Sequence, residues 1–391
     1  MSLPKSVQLC LCVVAATALG CSSSKKDGDF SGDAYPNQRA TFERSDRRLG
    51  YVANRNSDTV SVLDLDAMAL LGSVPVGRDP VDIDGPRHVV LDPANDLAYI
   101  ALSYPFSAAS PHALAEGATQ RSSYVEALEL SDLSVAGDVR VDPSAAELAF
   151  SPANDALAVS HYDLFRALSA DPAARRANVA LVEPASDIAN AEPSPTFVPV
   201  CAVPAAMAYN GDGSRLFVAC TGEDTLAVLD PASGQVLSSV PAGGSAINKP
   251  YALTGDATRG RLLVSNQVSG AVALFDMGDT PRLLSTLTVT GVPMYAAWVT
   301  DSTIAVPLQG PDGAALFDVE TGEQLVQIAY SAGECTNPAE FSLTSDGRMR
   351  LVCEGDHYTK GAVVEVDPNT LVIQTSVSVD IYPERMAISE P

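Results

Sequence analysis

The sequence predicts an all-β protein, a seven-bladed β-propeller whose blades are four-stranded antiparallel sheets. The first observation behind this prediction is a repeated phrase, in which a proline or alanine opens a short apolar-alternating segment that leads into a turn. Most copies recur at roughly 40 to 50 residues, the spacing of propeller blades. The seven copies are residues 86–91, 145–150, 204–209, 250–254, 293–298, 338–343 and 383–388. The second observation is that the first repeat lacks its opening strand, whereas an extra opening strand follows the last repeat.

The segments after each opening copy predict the rest of a blade. Turn sequences such as 93–96 and 211–213 link antiparallel neighbours. Third strands such as 59–64 and 225–230 alternate between apolar and polar residues with period two, as a half-buried sheet does. The second strands are predicted at residues 50–54, 97–101, 157–160, 216–219, 262–265, 303–306 and 350–353.

Every third strand ends in an acidic residue. An acid in each copy, at the start of a turn, indicates a turn-forming role shared by all blades rather than a ring of catalytic carboxylates. The seven acids are Asp64, Glu129, Glu183, Asp230, Asp276, Asp318 and Asp367.

The two ends of the repeat array predict how the ring closes. The first copy begins at its second strand, residues 50–54, whereas residues 383–388 form an opening segment with no blade of their own. We therefore expect the C-terminal segment to complete blade 1 as its innermost strand. Closure of this kind removes the open sheet edges that favour aggregation.

The start of the chain predicts export. Lys5 precedes an apolar run over residues 9–19, so residues 1–20 are predicted to be a signal peptide. The run is shorter than the roughly 20 apolar residues of a membrane helix. Its end, Leu19-Gly20-Cys21, resembles the bacterial lipobox, which implies that Cys21 is acylated. Residues 21–41 then form a flexible tether and residues 42–391 the propeller. The alternative is ordinary cleavage that leaves Cys21 as an unmodified thiol.

The same resemblance implies a location. Ser22 follows the cysteine where an aspartate would favour the inner membrane, so we expect an outer membrane lipoprotein that faces the periplasm or the cell surface. The net charge of −24 and the scarcity of basic runs disfavour nucleic acid as a partner.

The cysteine count in an oxidising compartment indicates disulfides. Cys201 and Cys335 each lie three residues before a proline that opens an inner strand, and Cys220 and Cys353 lie near the ends of the following strands. We predict the pairs Cys201–Cys220 and Cys335–Cys353, each within one blade. Because Cys220 and Cys353 stand one step out of register with each other, one pair is expected to need a local bulge. A zinc site is the alternative, which the lack of Cys-x-x-Cys spacing disfavours.

One stretch of the first blade resembles a known repeat. Residues 51–64, which read YVANRNSDTVSVLD and continue to Val-Pro-Val-Gly at 74–77, are similar to the YVTN propeller repeat of bacterial and archaeal surface and periplasmic proteins. The resemblance implies a seven-bladed, lactonase-like propeller. It implies no single activity, because fold does not fix function.

The inner strands divide into two sets of alternating positions. An apolar set is expected to pack between blades: Val89, Leu148, Met207, Leu253, Ala296, Phe341 and Met386. The preceding positions are expected to face the central channel: His88, Glu147, Ala206, Ala252, Tyr295, Glu340 and Arg385.

The polar members of the channel set allow several roles. They can bind a small polar ligand, hold a cation through Glu147, Glu340 and His88, or provide a base and an electrophilic clamp for lactone opening. The structural alternative is a hydrated channel in which Arg385 neutralises an acid. No metal or cofactor is required, although a cation at the channel mouth is one of these alternatives.

Two blades carry long insertions between their second and third strands, at residues 103–123 and 161–176. Long loops on the open face of a rigid scaffold often carry binding residues. The candidates are Tyr104, His112, His161 and Tyr162. The alternative is a tolerated surface insertion with its own small apolar cluster.

These observations favour a lipid-anchored binding scaffold of the cell envelope, expected to be a monomer. Its partner is an envelope protein, a glycan or a small polar ligand, bound through the loop face and the channel mouth. The alternative is a lactonase-like hydrolase that uses His88, Glu147, Glu340 and Arg385. A quinoprotein-like propeller ranks last, because the sequence shows no cofactor fingerprint.

Overall fold

Seven antiparallel sheets account for nearly all the regular structure of the protein. The computed structural model describes residues 47–77, 83–103, 122–188 and 194–391. Each sheet follows the chain from the channel to the rim, except that blade 1 takes its inner strand from the C-terminus. The seven-bladed propeller is therefore confirmed. The signal peptide, the tether with Cys21, and the insertion residues Tyr104 and His112 lie outside the described residues.

The strands of the first four blades follow the predicted repeat. In blade 1 they are, from the channel outward, Pro383–Ser389, Leu49–Asn54, Thr59–Asp64 and Ala69–Pro75. In blade 2 they are Pro86–Asp92, Leu97–Leu102, Ser123–Glu129 and Val135–Val141. In blade 3 they are Ala145–Ser151, Ala156–His161, Arg176–Val182 and Thr196–Ala202. In blade 4 they are Pro204–Tyr209, Leu216–Cys220, Thr225–Asp230 and Gln235–Pro241.

Blades 5 and 7 have the same four strands, whereas the inner strand of blade 6 is interrupted. Blade 5 consists of Pro250–Asp256, Arg261–Asn266, Ala271–Asp276 and Leu283–Thr288. Blade 6 consists of the two inner pieces Val292–Pro293 and Ala297–Trp298, then Thr303–Gln309, Gly313–Asp318 and Gln324–Ala329. Blade 7 consists of Pro338–Leu343, Met349–Cys353, Lys360–Val366 and Ile373–Ile381.

Within the described ranges, the helical segments are short and belong to the loops of blade 3. They are the α-helices Leu164–Ala167 and Pro184–Asp187 and the 3₁₀ helix Ala173–Arg175. Asp163 caps the first of these, since its Oδ1 accepts a hydrogen bond from the Arg166 backbone N–H at 2.9 Å. Among the described residues, no helix has the length and apolar character needed to cross a membrane.

The core is divided among the interfaces between blades. Seven clusters of buried apolar side chains occur, one for each pair of neighbouring blades. The predicted packing set supplies one residue to each cluster, from Val89 between blades 1 and 2 to Met386 between blades 7 and 1. Since burial of apolar surface stabilises each interface in the same way, the repeat pattern of the sequence is enough to define the ring.

The ring closes as predicted. The C-terminal strand pairs antiparallel with the first strand, from Leu49 opposite Ser389 to Ala53 opposite Arg385. An ionic cluster joins the same ends, because Arg48 Nε lies 2.8 Å from Glu390 Oε2, and Glu390 Oε1 accepts a hydrogen bond from the Ser345 backbone N–H at 2.7 Å. Residues from both termini and from blade 7 thus hold the seam.

The acids at the ends of the third strands form turns. Asp64 Oδ1 accepts hydrogen bonds from the backbone N–H groups of Asp66 and Ala67 at 3.0 and 2.9 Å. Asp230 and Asp318 accept equivalent bonds in blades 4 and 6. The predicted turn-forming role is therefore confirmed for these three aspartates and for Asp367, whereas the side chain of Glu183 makes no such bond to the turn that follows it.

Both predicted disulfides are present. The Cα–Cα distance is 5.9 Å for Cys201–Cys220 and 5.2 Å for Cys335–Cys353. The expected register difference between them was wrong: Cys220 lies opposite Pro204 and Cys353 lies opposite Pro338. Both inner strands have a bulge just after that proline, so Cys220 and Cys353 occupy equivalent positions. The expectation that both bonds lie within one blade was wrong for Cys201–Cys220, because Cys201 lies in the outer strand of blade 3 and its bond joins blades 3 and 4.

Candidate functional site

A bulge at the start of the inner strand is a general feature of the ring. The register shifts just after the opening residue in blades 2, 3, 4, 5 and 7, and at the matching place in blade 1. A bulge adds one residue and breaks the strict alternation of side chains. As a result Arg87 and Tyr251, which directly follow the opening prolines, reach the channel mouth beside the predicted channel-facing positions.

Five predicted channel residues meet in one network, here called the channel-floor network: His88, Glu147, Tyr295, Glu340 and Arg385. Arg385 donates from Nη1 to Glu147 Oε2 at 2.5 Å and from Nη2 to Glu340 Oε1 at 2.9 Å. Tyr295 donates from its hydroxyl to Glu147 Oε1 at 2.8 Å. Glu340 Oε2 also accepts from the Met386 backbone N–H at 2.8 Å. The network joins blades 1, 2, 3, 6 and 7 across the bore.

His88 joins this network through its Nδ1 atom. That atom lies 3.0 Å from the Leu148 backbone nitrogen and 3.0 Å from Glu147 Oε2. A backbone N–H can only donate, so we assign Nδ1 as the acceptor of the Leu148 proton and place the imidazole proton on Nε2.

The electrostatics of the network centre on one ion pair. Burial raises the pKa of Glu147, but the guanidinium of Arg385, together with His88 and Arg87, outweighs that effect and lowers the pKa to about 2. Burial lowers the pKa of Arg385, and the carboxylates of Glu147 and Glu340 more than reverse this. Arg385 Cζ also lies 3.6 Å from the centre of the Tyr295 ring. Glu147 is therefore a firmly ionised carboxylate and a weak base.

The break in the inner strand of blade 6 explains how Tyr295 reaches Glu147. The backbone of Tyr295 leaves the blade 6 sheet and pairs with blade 7. There Tyr295 N donates to Ala339 O at 2.9 Å, and Phe341 N donates to Tyr295 O at 3.2 Å. The shift brings the phenol across the channel to a carboxylate on blade 3. The sequence pattern, which assumed seven equal strands, contained no signal for this shift.

A cavity of about 470 Å³ lies at the channel mouth, and none of the five residues of the channel-floor network is among its lining residues. Tyr251 lines the cavity and connects it to the network, because its ring centre lies 5.9 Å from that of Tyr295. Its ring centre also lies 5.9 Å from that of Tyr162. The arginine, glutamate, histidine and tyrosine side chains of its lining are Arg55, Arg87, Tyr162, Tyr251, Glu354, His357 and Tyr382, and the other lining residues are Ser103, Ser144, Leu164, Phe165, Gln267, Met294 and Gln309. A ligand of this volume has access to aromatic faces and charged groups together.

Two arginines of the cavity share one carboxylate. Arg87 donates to Glu384 from Nε at 3.2 Å and from Nη2 at 3.3 Å. Arg55 donates from Nη1 to Glu384 Oε1 at 3.3 Å. Burial lowers the pKa of Arg87, but Glu384 and its neighbours raise it well above the usual value. The group of Arg55, Arg87 and Glu384 carries one net positive charge within a strongly acidic protein.

His357 and Glu354 form a dyad on the cavity wall. The Nε2 atom of His357 lies 2.9 Å from Glu354 Oε2, which leaves Nδ1 as the proton acceptor of the neutral ring. The imidazole stacks on Tyr382 with a centroid distance of 3.7 Å and an interplanar angle of 11°. Burial raises the pKa of Glu354. His357 has a φ of +67°, a left-handed conformation that is uncommon outside glycine and is often found at functional sites.

The other predicted binding residues have different outcomes. Tyr162 lines the cavity. His161 is buried within blade 3, where its Nδ1 lies 2.7 Å from Asn178 O and burial lowers its pKa. It does not line the cavity. Tyr104 and His112 lie outside the described residues.

Sequence reasoning missed Arg55, Arg87, Glu354, His357, Tyr382 and Glu384. The alternation assigned to the inner strands begins at His88 and Arg385 and gave no role to Arg87 and Glu384; extended by one residue, it places both in the apolar interface between blades. A charge at such a position is the signal that could have identified them, because unpaired charge in that interface is costly. Glu354 and His357 come from a short loop between strands, which the pattern of the repeat does not describe.

The described part of the chain shows no group of three or more His, Cys, Asp or Glu side chains arranged to hold a metal ion. His88, Glu147 and Glu340 lie close together, but Arg385 stands between the two carboxylates. The guanidinium thus occupies the place that a bound cation would take.

Comparison with known proteins relates the chain to propellers of diverse activity. No family model matches it, and no match among curated proteins was found. The periplasmic gluconolactonase PpgL of Pseudomonas aeruginosa is 14% identical with a TM-score of 0.64, over 88% of this chain and 100% of that one. A putative 6-phosphogluconolactonase from Bacteroides fragilis is 12% identical with a TM-score of 0.62, over 88% of this chain and 98% of that one.

A third similar structure has a different chemistry. The dihydro-heme d1 dehydrogenase NirN is 18% identical with a TM-score of 0.57, over 90% of this chain and 77% of that one. At these identities the likeness shows the fold alone. The protein is a seven-bladed β-propeller whose structural neighbours include lactonase-like proteins, while the resemblance to the YVTN repeat stays a prediction.

Proposed function

We propose that the protein hydrolyses small polar lactones in the cavity at the channel mouth. The observation that carries the proposal is the placement of the His357–Glu354 dyad on one wall of a 470 Å³ cavity that Arg55 and Arg87 also line. An oriented imidazole and a pair of guanidinium groups are what ester hydrolysis requires. The lactonase-like structural neighbours support the same reading.

The proposed reaction follows from these positions. Glu354 orients the imidazole, and Nδ1 of His357 takes a proton from a water molecule whose oxygen attacks the lactone carbonyl carbon. Negative charge develops on the carbonyl oxygen, where Arg55 and Arg87 stabilise it. The ring C–O bond then breaks, and the departing alkoxide receives the proton from His357. One lactone and one water give one hydroxy acid.

The channel-floor network has a supporting role in this proposal. With a pKa of about 2, Glu147 is too weak a base to activate water at neutral pH. Its hydrogen bonds instead hold Tyr295 and Arg385 beneath the cavity. The sequence-based alternative, catalysis by His88, Glu147, Glu340 and Arg385, is separated from the dyad by mutation.

The test is a panel of five- and six-membered sugar lactones, with acid release followed by a pH indicator. His357→Asn should lower kcat/KM by about 10²- to 10⁴-fold, the usual contribution of a general base. Glu354→Gln should lower it less, because the imidazole remains. His161→Asn, which changes an imidazole outside the cavity, is the matched control. Turnover that survives in His357→Asn but disappears in Glu147→Gln would assign the reaction to the channel-floor network instead.

A binding scaffold is the second candidate function. Apolar side chains are exposed on loops of the mouth face, with Leu168 82% and Tyr358 85% exposed. Such residues around a polar cavity suit contact with an envelope protein, a glycan or a small polar ligand. If the folded protein hydrolyses no lactone, but an envelope protein, a glycan or a small polar ligand raises its melting temperature, the binding scaffold replaces the hydrolase as the proposed function.

We also propose that the propeller is a monomer anchored to the outer membrane through acylated Cys21. The sequence Leu19-Gly20-Cys21 supports the anchor. Metabolic labelling with a fatty acid should mark the wild-type protein and leave Cys21→Ala unlabelled and soluble. Equal labelling of the two, or none in the wild type, would remove the anchor from the proposal.

A further inference from the structure

The two disulfides end at the same second-strand position in blades 4 and 7 but are followed by different residues. In both, a cysteine three residues before the opening proline is bonded to the last residue of the second strand, but Cys201 belongs to the outer strand of blade 3, so its bond joins two blades, whereas Cys335 lies in the loop before blade 7. Both second-strand cysteines lie opposite the opening proline of the inner strand. Because both links end opposite the opening proline, C201S/C220S is a control for the loss of a disulfide at this position of a second strand.

In blade 7 the link lies next to the proposed catalytic dyad. Cys353 is followed directly by Glu354, whose backbone N–H donates to Asn337 O at 3.1 Å. The Gly355 N–H donates to Thr336 O at 3.0 Å, and Asn337 Nδ2 donates to Gly355 O at 2.9 Å. The disulfide and three hydrogen bonds thus fix the base of the loop that carries Glu354 and His357.

In blade 4 the other link leads away from the cavity. The residues after Cys220 make equivalent backbone bonds, from Thr221 N to Val203 O at 3.1 Å and from Gly222 N to Ala202 O at 3.0 Å. Thr221 Oγ1 donates to Pro250 O at 2.6 Å. Neither Thr221 nor Gly222 lines the cavity at the channel mouth.

We infer that Cys335–Cys353 is a positioning element for the Glu354–His357 dyad, whereas Cys201–Cys220 serves stability alone. The physical reason is that Glu354 is only 7% exposed, and a buried carboxylate gains hydration by moving outward. Its backbone must therefore be held. Further along the loop, His357 O accepts a hydrogen bond from Asn56 Nδ2 at 2.9 Å, so the disulfide acts mainly on Glu354 and on the orientation of the imidazole.

The test compares C335S/C353S with C201S/C220S in the full chain. One measurement does not depend on activity: the stacking of His357 on Tyr382 shifts the imidazole proton resonances upfield, and His357→Asn identifies them. In C335S/C353S these resonances should move toward the values of a free imidazole. In C201S/C220S they should stay in place, although both variants melt at a lower temperature.

The kinetic measurement rests on the proposed function. On a lactone that the wild type hydrolyses, C335S/C353S should lose about 10- to 100-fold in kcat with KM changed less, as displacement of a catalytic group by about 1 Å does. C201S/C220S should keep its kcat below its melting temperature. Equal losses in the two variants, or unmoved His357 resonances in C335S/C353S, would overturn the inference.

A milder substitution covers the case in which C335S/C353S does not fold. Asn337→Gly removes the side-chain bond to Gly355 and suits the positive φ of +51° at residue 337. It should shift the His357 resonances in the same direction by a smaller amount, and unshifted resonances would count against the inference. If no lactone is a substrate, the resonances still decide whether the disulfide positions the dyad, so the two proposals fail separately.

Discussion

The buried pair of Glu147 and Arg385 provides the sharpest quantitative prediction. Glu147→Gln keeps the size of the side chain and an acceptor for the Tyr295 hydroxyl, but removes the charge that Arg385 faces at 2.5 Å. Since the pKa of Glu147 falls from 4.5 to about 2 in the folded protein, the ionised form stabilises the fold. At 1.36 kcal/mol per pKa unit, that shift corresponds to about 3 kcal/mol at pH 7.

The sign of the pH dependence follows from the direction of the shift. A carboxylate with a lowered folded-state pKa stabilises the protein above its unfolded pKa and loses that contribution as the pH falls from 4.5 toward 2. By pH 3, about 2 of the 3 kcal/mol should be gone. The difference in unfolding free energy between wild type and Glu147→Gln should thus shrink from about 3 kcal/mol at pH 7 to about 1 kcal/mol at pH 3.

Guanidinium chloride unfolding at the two pH values, followed by circular dichroism, measures this difference. Glu323→Gln, which removes an exposed carboxylate, is the matched control and should differ little from the wild type at either pH. A difference for Glu147→Gln that is the same at pH 7 and pH 3 would refute the argument. So would a difference below about 1 kcal/mol at pH 7, because the ion pair would then contribute no more than an exposed one.

Three further predictions concern the ring, the disulfides and one buried turn. Deletion of residues 383–391 removes the strand paired with Leu49–Asn54 together with Glu384 and Arg385. This deletion should leave no folded monomer on size-exclusion chromatography, because it opens the ring. Deletion of Pro391 alone is the control and should be tolerated. A folded, monomeric deletion protein would contradict the closure of the ring. C201S/C220S opens a link with a sequence separation of 19 and should lower the unfolding free energy by about 3 kcal/mol, measured by denaturant titration; an unchanged midpoint would show that the link does not stabilise the fold. Burial raises the pKa of Asp58 to about 6, so its contribution to stability is lost as the pH rises through 6. Asp58→Asn keeps an acceptor for the Asp84 and Gly85 N–H groups and should raise the unfolding free energy by about 3 kcal/mol at pH 8, by about half as much at pH 5 and by little at pH 3; destabilisation at pH 8 would show that the charge is needed.

The fold was predictable because each blade repeats one physical solution. Val89, Leu148 and their counterparts recur at the same place in every copy and pack into separate interfaces, so the alternating pattern was confirmed seven times over. The missing first strand and the extra last one then left one way to close the ring. The channel-facing positions His88, Glu147 and Arg385 followed from the same alternation and do meet in the structure.

The cavity was less predictable because it depends on departures from the repeat. The bulge after Pro86 brings Arg87 to the mouth, and the interrupted strand of blade 6 moves Tyr295 across the bore. The dyad of Glu354 and His357 lies in a loop whose conformation includes a positive φ. Local backbone conformations of this kind are set by tertiary contacts, which a periodic pattern in one sequence does not record.

The composition of the channel floor argues that the cavity above it is functional. In blades 4 and 5 the equivalent positions are Ala206 and Ala252, both buried at 1% exposure, so small apolar residues are able to fill the bore. The two carboxylates and one guanidinium that fill the bore in other blades carry a desolvation penalty, which small apolar residues would avoid. Arg385 Nη1 and Nη2 are committed to Glu147 and Glu340, and the Tyr295 ring centre lies 5.9 Å from that of Tyr251, which lines the cavity. The charged network is thus joined to the cavity through this pair of rings.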